Sequence, residues 1–482
     1  MHRLLRTVSG LAAFAGVVAV TMVETAPIAR AQAAAAQAPA TKRQYKDNGE
    51  FDLYSQAYKD AATPAKQIQD LETWAQKYPT SDYKDVRTGM LVTAYSAMNP
   101  PQPAKVLEYA AILMAKDLKT VFDDPADGKR QTLQFYFAVT TAAATAGSSL
   151  LPNPTPAQVE LGRTAAKQLK EAAAAFFVAA NKPAATSETD WNKTHATLDA
   201  AADHTLLVLT IFQAEAVMAK TPKVPADCAS IAEPAYKLAL ADHPDNAYVS
   251  YKLAQSMQCQ QSKESPDKVF QAIYEYERAA VIDPKLGGAQ PDPKVVPAFA
   301  DRAYTNIHGS TEGLDELKAL AAKSPLPPDG FKIKTASEIA TERQAEFEKS
   351  NPELSMWMKI KAALTDPADP DYFEGKLKDT AGPKLKGVVV EGACRAKDIT
   401  VAFPMPGETG ALTPEVKLKF DAPLTGKPEP NAEITFEGAV ASAFQKDPFL
   451  LTMDIEKAKV EGLKVTPCTP TPGKKAPVTK KN

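Results

Sequence analysis

Several things are missing from this chain, and each absence closes off a class of function. It has no G-x-S-x-G, no H-E-x-x-H and no glycine-rich phosphate loop, and no nucleophile stands beside a base in sequence. Its four cysteines form no C-x-x-C pair and its five histidines are scattered, which argues against a metal centre or a redox motif. A net charge of −2 gives no broad basic field to attract nucleic acid. No apolar run reaches the roughly twenty residues needed to span a bilayer. These absences assign no catalytic residue, no metal and no cofactor, and they predict that the chain is not an enzyme and does not bind nucleic acid.

What is present begins with an export signal. His2, Arg3 and Arg6 start a short polar and basic stretch, the run from Val8 to Val23 is largely apolar, and Ala29-Arg30-Ala31 supplies small residues where a signal peptidase reads. The sequence therefore predicts a signal peptide over 1–31, cleaved after Ala31, and a periplasmic or cell-envelope location. An uncleaved N-terminal membrane anchor is the alternative. Residues 32–44 read as a flexible linker rich in alanine, glutamine and proline.

Prolines outnumber glycines, 39 to 22, and many of them fall at regular element ends, as a stack of helices requires. Apolar positions Ala57, Ile68, Leu71 and Trp74 recur at roughly helical intervals before Tyr78-Pro79. Further helices are predicted around Met90–Tyr95, Val106–Leu113, Lys129–Gly147 and Gln158–Asn181. Ser187 with Asp190 resembles a capping box, and the helix it opens runs to Lys220. Thr335–Lys349 reads as a charged, solvent-facing helix and Leu354–Leu364 as another.

One pattern occurs twice. Ala232, Tyr236, Ala239 and Pro244 have the spacing A-x3-Y-x2-A-x4-P, and Ala272, Tyr276, Ala279 and Pro284 repeat it forty residues later. Residues three and four apart share a helix face, where alanines admit a close neighbour and tyrosine fills the gap. Pro325 follows Pro284 by 41. The pattern resembles the second helix of a tetratricopeptide (TPR) repeat, and Leu253, Ala254 and Met257 stand where that family has Leu, Gly and Tyr in its first helix. Ser250 departs from the preferred tryptophan, and the forty-residue period exceeds the usual 34. Pro234 lies inside the first copy, so that helix either starts there or is kinked. The resemblance covers 227–324 best, and the TPR-like array as a whole is placed over 45–365.

After Asp366–Asp371 the periodicity changes from 3.6 to 2. Leu385–Val390, Ile399–Phe403, Val416–Phe420, Ile434–Val440 and Phe449–Ile455 read as short strands separated by turns rich in proline and glycine. The fold class predicted is mainly α, a TPR-like antiparallel helical-hairpin array followed at 380–469 by a small antiparallel β barrel or sandwich, OB-like by strand count. Residues 470–482 read as a disordered tail rich in lysine and proline, able to touch an anionic membrane surface.

In an oxidising compartment four separated cysteines predict disulfides. Cys228 stands sixteen residues before Pro244 and Cys259 fifteen after it, so a hairpin turning at that proline brings them together. Cys394 and Cys468 bracket the strand-rich region and are the second expected pair. The TPR resemblance implies a concave groove for a protein or peptide, lined here by Tyr248, Tyr251, Gln255 and Gln258; packing of these four against an adjacent helix is the competing reading. The leading functional expectation is a non-enzymatic scaffold of the envelope that binds a protein partner. The alternative is an envelope protein that binds a ligand or carbohydrate through its β-domain, and the third is an enzyme with an unrecognised site.

Overall fold

The computed structural model describes residues 43–148, 153–262 and 266–468. The expected signal peptide, almost all of the linker and the lysine-rich tail lie outside the described residues. The chain forms two compact units, residues 1–333 and 334–482, each considered by itself below.

The first unit is helical. Its helices of eight residues or more are α1 (Asn48–Lys59), α2 (Pro64–Lys77), α3 (Lys84–Ser96), α4 (Pro103–Leu113), α5 (Gly128–Ser148), α6 (Pro156–Phe176), α7 (Glu188–Ala219), α8 (Glu233–Asp242), α9 (Ala247–Cys259), α10 (Asp267–Ile282), α11 (Val295–His308) and α12 (Leu314–Ala321). Proline opens α2, α4 and α6, where the missing N–H costs nothing. Pro64 also divides what reads in sequence as one helix from Ala57 to Trp74 into α1 and α2. The Ser187 hydroxyl accepts from the Asp190 amide and starts α7, which runs unbroken for 32 residues. Pro234 lies in the first turn of α8, and a wider π turn over Cys228–Ala232 leads into it. The proline therefore both starts the helix and follows a distortion.

From α1 to α10 each helix packs on the next, and α10 then takes both α11 and α12. Close approach needs small residues. At Gly162 an added Cβ would stand 2.5 Å from the Ala143 side chain and 2.8 Å from that of Leu209, so α6 meets α5 and α7 with no room for a methyl group. The repeated alanines and tyrosines behave as their spacing predicts. Tyr236, Ala239, Ala272, Tyr276 and Ala279 are all buried, in one cluster with Leu253, Ala254 and Met257. The Cys228–Cys259 disulfide closes the same cluster, with Cα atoms 6.3 Å apart. Among the described residues no helix is long and apolar enough to cross a membrane.

The second unit contains two helices and a sheet. Helices α13 (Ala336–Ser350) and α14 (Pro352–Thr365) precede β1 (Leu385–Glu391), β2 (Asp398–Ala402), β3 (Val416–Phe420), β4 (Lys427–Pro428), β5 (Glu433–Phe436), β6 (Val440–Gln445), β7 (Leu450–Ile455), β8 (Val460–Glu461) and β9 (Val465–Thr466). The helical unit thus ends at Ile333 rather than near residue 365. Trp357 explains why, because its indole stacks on Phe403 at 4.4 Å and donates to Glu415 at 2.8 Å. That contact packs α14 onto the sheet. Helix α13 has no buried residue, as its charge pattern predicts.

The sheet corrects two expectations. Its order is β6-β7-β3-β2-β1-β5-β8, with β4 and β9 forming a separate pair, and no closed barrel results. It is also mixed rather than purely antiparallel, since β3 and β7 pair in parallel. The strand expected over Ile434–Val440 is broken by Gly438, whose φ of +72° turns the chain between β5 and β6. The Cys394–Cys468 disulfide, with Cα atoms 6.0 Å apart, ties the β1–β2 turn to the chain after β9.

Candidate functional site

Helix α9 carries all four residues that the repeat resemblance places in a groove, and the structure divides them. Tyr248 is taken up by a polar cluster that joins α7, α8 and α9. Glu215 of α7 accepts from the Tyr236 hydroxyl of α8 at 2.8 Å and pairs with Lys252 of α9 at 3.1 Å. The Lys252 ammonium lies 5.3 Å from the centre of the Tyr248 ring. Burial, reinforced by the charge of Glu215, drives both tyrosine hydroxyls well above their ordinary pKa, so they remain neutral donors. Tyr248 is a packing residue, half-buried against the preceding helix.

The other three stay on one face of α9, since Tyr251, Gln255 and Gln258 follow the spacing i, i+4, i+7. The Tyr251 ring meets Tyr276 of α10 edge-on at 5.3 Å, and Tyr276 meets Phe299 of α11 edge-on at 4.8 Å. A row of three rings therefore bridges α9, α10 and α11. The Tyr276 hydroxyl donates to Gln258 Oε1 at 2.7 Å. This bond fixes the carboxamide, because its oxygen is occupied and its NH2 group is left on the exposed side of α9. Val295, one turn before Phe299, is 46% exposed and extends the apolar edge.

Three ionic anchors hold the row in place. Glu233, nearly buried at the start of α8, pairs with Lys237 at 2.7 Å and with Lys268 of α10 at 2.7 Å, and accepts from Gln260 at 2.7 Å. Its carboxyl is held below the ordinary range by these hydrogen bonds, which outweigh its burial. Arg278 of α10 is 2% exposed and donates to backbone carbonyls of Pro244, Ala321 and Ser324. Lys318 of α12 pairs with Asp301 of α11 at 2.6 Å.

Two further groups on α10 are fully buried. Neither carboxylate oxygen of Glu275 or of Glu277 has a hydrogen-bond partner among the described residues. Burial pushes both carboxyls up to about 8. Arg278, Ser250 and Lys237 oppose the shift at Glu275, as does Lys318 at Glu277, where Asp301 adds to it. These acids hold a proton at neutral pH and contribute no charge to the row.

The second unit offers an open hollow of about 630 Å³ across the sheet, where Lys419, Asp454 and Val440 stand side by side on β3, β7 and β6. Much of its charge is spent internally: Lys459 pairs with Glu456, and Lys417 on the same sheet pairs with Asp398, each at 3.1 Å. Among the described residues no group of three or more His, Cys, Asp or Glu side chains is placed to hold a metal ion.

Sequence reasoning missed Glu215 and Lys252 as the polar partners around Tyr248, and Tyr276 and Phe299 as the rings that continue from Tyr251. Tyr276 had a signal, being the tyrosine of the second copy of the pattern, but the pattern describes it as packing. Glu215 lies in a different helical pair, and nothing local marks it. Comparisons with known protein families, with curated proteins and with solved structures find no match for this chain.

Proposed function

We propose that this protein is a non-enzymatic scaffold of the cell envelope, that its helices around α7–α12 are degenerate repeats of the TPR type, and that it binds an extended segment of a partner protein along α9 and α11. The observation that carries this reading is the Tyr251–Tyr276–Phe299 row with the Gln258 amide held beside it. Tyr251 and Phe299, half-buried and braced by the buried Tyr276, offer contact area at low entropic cost, and an amide whose NH2 faces outward suits a backbone carbonyl of a bound segment. Gln255 lies between them on the same face. Two disulfides fit an oxidising compartment and support export.

A second reading assigns recognition to the β-domain, as an envelope protein that binds a polar ligand or carbohydrate. The hollow at Lys419 and Asp454 is the observation that favours it. Photo-crosslinking in the organism that encodes the chain separates the two. A crosslinker at Gln255 is expected to trap a protein, and one at Lys419 to trap nothing. A glycan trapped at Lys419, with no adduct at Gln255, contradicts the scaffold reading.

A further inference from the structure

A second aromatic surface lies on α1 and the segments beside it, on helices that take no part in the α9–α11 row. Tyr45 stacks on Tyr83 at 4.3 Å with planes 12° apart. It also meets Phe51 edge-on at 5.3 Å and Tyr54 at 5.7 Å, and Tyr54 leads on to Tyr58 at 6.3 Å. None of these five rings is fully buried, and Phe51 and Tyr58 are 48% and 51% exposed. Only 7% of the chain is aromatic, so five rings on one outer surface are not a by-product of composition.

The surface is held rigid before any partner arrives. The Tyr83 hydroxyl donates to the Arg43 carbonyl at 3.2 Å, and the Arg43 guanidinium is fixed by the Val121 carbonyl and by Asp123, both at 2.9 Å. Its margin is acidic. Burial does most to raise the pKa of the Tyr54 hydroxyl, and Asp124 and Asp127 add to it, Asp127 while paired with Arg130. The nearby cations are already engaged, Arg43 with Asp123 and Lys46 with Asp82 at 3.0 Å. The exposed Asp124 carboxylate, which accepts from the Ala126 amide, has no lysine or arginine partner among the described residues.

This combination selects a partner by its chemistry. The exposed faces of Phe51 and Tyr58 offer flat apolar surface to prolines, and a polyproline helix loses little entropy on docking because it is already extended. Acidic neighbours favour lysine or arginine on the same segment, through ion pairs and through cations placed over the rings. We infer that the Tyr45–Phe51–Tyr54–Tyr58–Tyr83 surface docks a proline-rich segment of a partner protein that also carries lysine or arginine. The inference does not depend on the groove at α9–α11 and uses none of its residues.

Fluorescence anisotropy with the full chain tests it, using three labelled nine-residue peptides: Pro-Pro-Lys, Gly-Ser-Lys and Pro-Pro-Glu repeats. The Pro-Pro-Lys peptide is expected to bind at least about tenfold more tightly than either control, and Phe51→Ala or Tyr58→Ala to weaken it by about tenfold, with Tyr251→Ala leaving it unchanged. Both replaced side chains are half-exposed, so an unchanged circular dichroism spectrum accompanies the loss. Equal binding of the Gly-Ser-Lys peptide, preference for Pro-Pro-Glu, no binding at all, or loss only in Tyr251→Ala each overturns the inference.

Discussion

Arg278 donates its guanidinium to the backbone carbonyl of Pro244, the proline that closes the preceding copy of the helical pattern. The same side chain reaches Ser324 at 2.9 Å, next to Pro325, which closes the third element of the same rhythm. One buried arginine on α10 thus holds helix ends on both sides of it. Carbonyls at a helix C-terminus lack partners within the helix, and a cation placed there satisfies them and complements the helix dipole.

Replacing Arg278 tests this directly. Arg278→Met keeps the volume and leaves the carbonyls of Pro244, Ala321 and Ser324 unmet, so a loss of about 3–5 kcal/mol is expected in chemical denaturation. Arg278→Lys recovers only part of it, because an ammonium cannot span the same carbonyls. A loss below about 1 kcal/mol shows that these contacts do not hold the helix ends.

Stability should fall as pH rises through the neutral range. Glu275 and Glu277 have folded-state values near 8 against an ordinary 4.5, so between those limits the native state holds protons that the unfolded chain has released. Their stabilisation is complete below 4.5, declines from there to about 8 and is level above. Glu275→Gln, which needs no proton to remain neutral, is expected to flatten that slope by an amount on the order of a few kcal/mol. Denaturation midpoints at intervals from pH 4 to 9 measure it. A slope unchanged in both Glu275→Gln and Glu277→Gln refutes the assignment.

The two disulfides stabilise separate parts of the chain. Joining residues 31 apart restricts the unfolded chain by about 3–4 kcal/mol, and joining residues 74 apart by about 4–5 kcal/mol. Hydrogen exchange is expected to show Cys228→Ala with Cys259→Ala loosening α8–α10 while the sheet stays protected. Cys394→Ala with Cys468→Ala should loosen the sheet and spare α8–α10. Uniform loosening of both units by either pair of changes contradicts this separation.

Much of this architecture was legible because it is written in local chemistry. Ser187 marks the entry to α7, and the distances of Cys228 and Cys259 from Pro244 anticipate their bond, whereas Pro64, Pro103 and Pro156 open helices although prolines read in sequence as element ends. Alternation marks β3 and β7, while β6 passed unnoticed because Ala441, Ser442 and Ala443 carry little strand propensity. The parallel pairing of β3 with β7 is a non-local fact that alternation alone cannot encode. Of the expected groove, Tyr251, Gln255 and Gln258 share a face and Tyr248 turns into packing. Its partner Glu215 lies 33 positions earlier, on a helix whose apolar residues run nearly all round. The affiliation of α14 depends on Trp357 meeting Phe403, a contact between residues that no repeat or periodicity connects.

The central claim is that the face of α9 recognises a partner, and Gln258→Glu tests it most directly. Glutamate still accepts from the Tyr276 hydroxyl, so the ring row keeps its anchor, while the outward NH2 group is replaced by a carboxylate oxygen. Titration of the partner trapped at Gln255 should show at least about tenfold weaker binding to Gln258→Glu than to the unaltered chain, with Lys419→Ala unchanged. Equal affinity for Gln258→Glu, with a loss in Lys419→Ala, would contradict the account.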